Sequence, residues 1–191
     1  MNIALREIGP DAYEEYTQLR PGFLVESVLE CRLDRDGLGG IVLRQVPVAT
    51  PYSKYWPDEG PAVWARMHDL TKWGIFIATA DHHPAGGAAV ASPAPGIVVT
   101  EGHKDTAGLF DIRVEPAQRR RGVGTALLRA CADWARARGF RFLAIETQNT
   151  NVPACRFYAK SGCELVEIRR FGYADCAEVS EEAMLIWRLK L

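Results

Sequence analysis

The sequence predicts an α/β (α+β) fold in which a mixed, mostly antiparallel sheet holds one central parallel strand pair and is flanked by helices. Two observations carry this. Residues 109–114 (LFDIRV), the glycine-bearing RRRGVGT loop, residues 123–138 and residues 140–147 read as strand, loop, helix, strand. Such a crossover is right-handed and makes its two strands parallel. Around it lie short alternating or apolar runs separated by turn residues, the pattern of hairpin-connected strands. The chain has 191 residues, 48% hydrophobic and 25% charged, enough for one sizeable core, so residues 1–191 are expected to form a single domain.

Each element has its own signal. Residues 3–8 (IALREI) alternate and open the sheet, and Pro10 and Asp11 then start a short helix bearing Tyr13, Tyr16 and Leu19. Leu24, Val25, Val28 and Leu29 recur at helical spacing and predict a second helix over 21–33, ended by the turn residues 34–40. Residues 40–48 (GIVLRQVPV) read as a strand. Residues 49–62 (ATPYSKYWPDEGPA) carry three prolines and predict an irregular loop that closes over a ligand. Residues 73–80 and 86–92 form a hairpin around DHHPAG, and 93–108 connect it to the crossover.

In the crossover helix Val123, Leu127, Cys131 and Trp134 share one face, and Gly139 stops it. Asn151 and Pro153 have helix-start chemistry for a run to Lys160 that Gly162 ends. Residues 163–173 and 183–189 then give two last strands around the polar stretch 174–182.

Charge and cysteine usage narrow the function classes. A formal net charge of −1, from 23 basic and 24 acidic side chains, offers no field to hold a nucleic acid. No apolar run approaches a membrane span and the N-terminus lacks a signal-peptide core, so no membrane partner and a cytoplasmic location are expected. Five cysteines at 31, 131, 155, 163 and 176 lack C-x-x-C spacing, which argues against a disulfide framework and a zinc site. His82 and His83 are adjacent in a turn and diverge, so no metal is expected.

The loop Arg119-Arg120-Arg121-Gly122-Val123-Gly124-Thr125 lies between a strand and a helix N-terminus, where free N–H groups and the helix dipole favour an anion. Gly122 and Gly124 allow close approach to the main chain, and the arginines suit a further phosphate. A tight solvated turn is the alternative.

The pattern R-x-x-G-x-G at Arg119, Gly122 and Gly124, after LFDIRV, resembles the acetyl-CoA signature of the GNAT superfamily of N-acetyltransferases. The segment NVPACRFYAKSG (151–162) resembles that family's later helix with its tyrosine. The longer string IETQNTNVPACRFYAKSGC, with EVSEEAMLIW at 178–187 and, more loosely, FLVESVLECRL and TPYSKYW, is similar to the streptothricin (nourseothricin) acetyltransferase subgroup. The resemblance implies acetyl-CoA as co-substrate, entering where strands 109–114 and 140–147 part. Its pantetheine arm would follow Ile112, Arg113 and Val114, its diphosphate would sit on the amides of 119–125, and Asn151, Ala154, Phe157 and Tyr158 would line the other side. It also implies a small cationic amine as acceptor and makes a homodimer the expected oligomer. Acetylation of a protein N-terminus or lysine, and a non-catalytic CoA sensor, are the other readings.

Amine attack requires a neutral nitrogen, whereas a lysine-like amine is protonated at neutral pH. Asp111 and Glu146, on strands of apolar surroundings, are the candidate bases and amine binders. Each has a structural alternative: an ion pair with Arg113 for Asp111, a hydrogen bond to a neighbouring loop for Glu146. Tyr158 is the candidate acid for the departing thiolate, and a backbone N–H near Val114 the family-like donor to the acyl oxygen. Tyr52, Tyr55 and Trp56, followed by Asp58 and Glu59, suit a cationic substrate through ring faces and charge, the alternative being a surface loop whose rings pin it to the core.

Overall fold

Residues 2–20, 22–55 and 60–191 are described by a computed structural model. In chain order they form β1 (Ile3–Glu7), a 3-10 turn leading into α1 (Tyr13–Thr17), β2 (Gly22–Asp34), β3 (Gly40–Tyr55), α2 (Pro61–Trp64), β4 (Trp73–Ala80), β5 (His83–Ala91), β6 (Thr106–Val114), α3 (Val123–Ala137), β7 (Phe142–Gln148), α4 (Val152–Lys160), β8 (Glu164–Arg169) and β9 (Met184–Lys190). The chain groups into two compact units, one from residues 1–22, 55–145 and 190–191, the other from 23–54 and 146–189.

In the first unit the strand order is β1-β4-β5-β6-β7. The first three pairings are antiparallel and β6–β7 is parallel, as the crossover requires. The β4–β5 hairpin is tighter than expected. Ala80 pairs with His83, and Asp81 and His82 both take positive φ, the signature of a two-residue primed turn. The register of β5 against β6 slips between Ala89 and Val90, leaving Phe110 as an extra residue. This bulge lets Phe110 and Arg113 both reach Trp64, at 5.2 Å ring to ring and 5.9 Å guanidinium to ring. Tyr16, Trp64, Trp73 and Ile75 are buried around that point. On the opposite account of the sheet, α3 buries the face foreseen for it: Val123, Leu127, Cys131 and Trp134 are each at most 5% exposed. Gly74 lets it close, because a Cβ there would stand 2.5 Å from the Trp134 ring.

The second unit corrects the sequence reading twice. Residues 22–34 are a strand, not a helix. A helical stripe would turn Leu24 and Val25 to adjacent sides, but Leu24 is 47% exposed and Val25 is 0% exposed, the opposite-face alternation of a strand. Its partner β3 continues through residues expected to form a loop, as far as Tyr55. Pro47 and Pro51 are an even number of residues apart, so their missing N–H groups fall on one edge, and a two-stranded ribbon has a spare edge for them. Trp56, Asp58 and Glu59 lie outside the described residues.

Also in this unit, β8 and β9 pair antiparallel. Asn151 caps α4 by accepting the Ala154 N–H at 3.2 Å. Asn149 holds β2 to the start of β9: its main chain and side chain exchange bonds of 2.9–3.0 Å with both Leu29 and Ala183.

Candidate active site

In the first unit the glycine-bearing loop before α3 is the candidate anion site. The ladder of β6 with β7 runs from Thr106↔Phe142 to Leu109↔Ile145, while β6 continues against β5 to Val114. After a 3-10 turn at Pro116–Gln118, Arg120 takes φ +63° and Gly122 takes φ +91°, which delivers the chain into α3 with no side chain capping its amides. Arg119 does not point into this cradle. Its guanidinium donates to the carbonyls of Val114 at 3.1 Å and Gly22 at 2.6 Å, pinning the loop to the strand before it. Arg121 bonds Gln118 at 3.1 Å. Arg120, Arg121 and Thr125 are exposed beside the helix terminus, where the dipole already favours an anion.

Asp111 lies in the same unit, and its surroundings spend its charge. Arg113, two residues along the same face, donates to it at 2.8 Å, with the arginine side chain 4% exposed. The Tyr16 hydroxyl also donates to Asp111. Arg113 in turn lies over the Tyr16 ring at 5.0 Å and donates to the Leu19 carbonyl at 3.2 Å. Burial and the neighbouring Asp111 charge hold the Tyr16 phenol well above its usual range. The strand carboxylate thus anchors α1 to β6. Ile112 is half-buried on the same strand.

Glu146, in the second unit, has the opposite setting. It is half-buried on β7, and the hydroxyl of Tyr173 donates to its Oε1. Burial raises its carboxyl above the ordinary range, while the Tyr173 bond and the Arg169 charge pull it part of the way back. Arg169 is itself paired with Glu167 at 2.7 Å.

Tyr158, on α4, is 3% exposed. Its ring lies tilted at 5.2 Å from Phe157 and 6.4 Å from Trp187, whose indole N–H donates to Thr147 at 3.0 Å. Ala154 is the residue whose N–H Asn151 caps.

The aromatic candidates separate. Tyr52 and Tyr55 sit on a strand at odd spacing, so they face opposite sides of β3, and Tyr55 is 58% exposed. Tyr52 borders a cavity of about 290 Å³, together with Val28, Asn149, Thr150 and residues 177–182. Beside it Lys54 holds both oxygens of Glu182 at 2.5 and 2.7 Å, and Thr150 donates to Glu182 at 3.1 Å. Glu182, Asn149, Tyr16 and Tyr173 escaped the sequence reading. The strings EVSEEAMLIW and IETQNTN held the first two, but nothing in them marked a partner.

Known proteins bear on this arrangement. Residues 44–163 match the family model for the acetyltransferase (GNAT) family. A streptothricin acetyltransferase of Streptomyces lavendulae is 31% identical over 182 residues, covering 94% of this chain and 90% of that protein. A solved nourseothricin acetyltransferase is 26% identical with a TM-score of 0.78, covering 100% of this chain and 99% of that one. A Bacillus anthracis structure in complex with acetyl coenzyme A shares the fold, with a TM-score of 0.79 at 23% identity over 100% of both chains. A glycine-bearing loop opening a helix, a parallel pair whose ladder stops early, a family match over residues 44–163 and a 31% identical relative over 94% of the chain lead to one assignment: the chain belongs to the GNAT acetyltransferase family.

Proposed function

We propose that this acetyltransferase acetylates a primary amine of a streptothricin-type antibiotic, and so inactivates it. The observation that carries the reading is the 31% identity to a streptothricin acetyltransferase over 94% of the chain, which extends well outside residues 44–163. Acetyl-CoA supplies the acyl carbon and the thiolate leaving group. The residues fit it: the loop amides beyond Arg119, at 120–125, which no side chain caps, suit its diphosphate, and Arg120 and Arg121 its remaining phosphate. Ile112, Arg113 and Val114, on the part of β6 beyond its ladder with β7, would follow the pantetheine arm, with Asn151, Ala154 and Phe157 on the α4 side.

Of the two carboxylates, we assign the base to Glu146. What supports it is contrast: Asp111 is tied to a buried arginine, while Glu146 is bonded by a phenol and burial lifts its proton affinity towards the working pH. Asp111 becomes the anchor of α1. Tyr158 returns a proton to the sulfur, its buried ring fixing where the hydroxyl points. Tyr52 and the carboxylates of Glu178 and Glu181 attract the remaining ammonium groups of a polycation. Five unpaired thiols suit a reducing compartment, so we assign the enzyme to the cytoplasm. A homodimer is the oligomer we expect in solution.

The test is CoA-thiol release by the purified protein with acetyl-CoA and either streptothricin or a peptide with a free N-terminus and a lysine. Saturable release with streptothricin and none with the peptide is the expected result. The reverse preference would transfer the enzyme to protein acetylation, and no release with any amine would leave only CoA binding.

A further inference from the structure

Resting on the assignment of Glu146 as base, we propose that Tyr173 is a positioning residue for this reaction, holding the Glu146 carboxylate through Oε1 so that Oε2 is presented to the amine proton. Three features support it. The Tyr173 hydroxyl donates to Glu146 Oε1 across 27 positions of sequence. The side chain of Gln148 acts on the same phenol and lowers its proton affinity, against the larger raising effects of burial and the Glu146 charge. Glu146 and Gln148 are alternate residues of β7 and so share one face of it, the face that Tyr173 reaches.

The segment bearing Tyr173 is built to reach that face. A Cβ on Gly172 would stand 2.6 Å from Met184 Cβ and 3.1 Å from Arg169 Cβ, so only glycine lets the chain pass so close to the end of β8 and the start of β9. Turn bonds hold it on both sides: Gly172 N–H to the Arg169 carbonyl at 3.2 Å, and Cys176 N–H to the Tyr173 carbonyl at 2.9 Å.

The charged groups around Glu146 explain why a phenol does this work. Arg169 faces it from β8 and is paired with Glu167; Glu182 faces Tyr173 from the 170–182 segment and is paired with Lys54 from β3. A direct ion pair would orient the carboxylate but strip it of basicity. A neutral donor orients it and stabilises its ionised form only in part. Burial pushes the Glu146 carboxyl up and Tyr173 pulls it down. Removing the phenol therefore lifts the proton affinity, and the active ionised form appears only at higher pH.

The experiment is the pH profile of kcat/KM for streptothricin at saturating acetyl-CoA, for wild type, Tyr173→Phe, Gln148→Leu and Glu146→Gln. For Tyr173→Phe the acid limb moves up by about one pH unit, giving a roughly tenfold loss on the acid side and values within about threefold of wild type on the high-pH plateau. Gln148→Leu moves it the same way by less, and carries the test if Tyr173→Phe does not fold. Glu146→Gln is inactive throughout.

If Glu146→Gln keeps the wild-type profile, the base assignment falls and the proposal with it. If Glu146→Gln is dead but both other variants superimpose on wild type, or fall equally at every pH, the proposal alone is overturned. A readout free of any acceptor is the carbon NMR titration of the Glu146 carboxyl in protein labelled at glutamate. Its midpoint rises in Tyr173→Phe, and an unmoved midpoint contradicts the inference.

Discussion

Two carboxylates on neighbouring strands have opposite fates, and single substitutions separate them. Glu146→Gln is expected to lower kcat/KM by about 10²- to 10⁴-fold, the contribution of a positioned general base. It should also make the fold more stable at pH 8. The sign follows from the raised carboxyl: a group whose folded proton affinity exceeds its unfolded one favours the folded state at low pH, and that benefit is lost as pH rises through the folded value. Melting curves at pH 5 and pH 8 should show the gain of Glu146→Gln only at the higher pH. Asp111→Asn should instead cost stability, about 3 kcal/mol, because it leaves the buried Arg113 uncompensated; denaturant titration reads this directly. Tyr158→Phe should lower kcat by about 10²-fold with little change in the KM for acetyl-CoA, since a proton donor to the leaving thiolate acts in the transition state. The types of these residues were readable in the chain, as carboxylates in apolar strands and a tyrosine at a helical position. Their partners were not: Tyr16 meets Asp111 from 95 positions away and Tyr173 meets Glu146 from 27, and no local pattern encodes a long-range hydrogen bond.

Among the elements, the legible ones were those whose period is enforced by a broad partner surface. The crossover from β6 through α3 to β7 was foreseen because one stripe of α3 packs on a sheet and glycines mark its ends. In the β2–β3 ribbon the strand at 40–48 was read correctly, but β2 was misread as a helix because it is only partly buried, so neither face imposes a clean alternation and apolar residues fall at helical spacing by chance. Prolines were counted as loop signals where a spare edge tolerates them. The loop before α3 gives the sharpest prediction at this scale. Gly122 at φ +91° admits a β-branched residue only with strain, so Gly122→Val should cost about 1–2 kcal/mol. It should also raise the KM for acetyl-CoA far more than it lowers kcat, which initial-rate kinetics with varied acetyl-CoA will show.

For the whole molecule, the near-zero net charge of −1 leaves recognition to local groups, and the cavity of the second unit lined by Glu178 and Glu181 is where we propose that a polycationic acceptor is held. The family was legible because both halves of its signature, Arg119-to-Gly124 and 151–162, are contiguous in the chain. The acceptor was legible only as a resemblance, because the residues that would contact it are scattered from Tyr52 to Glu182. The measurement that bears most directly on the account is the mass spectrum of streptothricin after incubation with the protein and acetyl-CoA. A mass gain of a single acetyl group, matched by an equal amount of free CoA thiol, is the result the account predicts. Unmodified streptothricin, recovered while the same protein acetylates another amine or merely binds CoA, would contradict it.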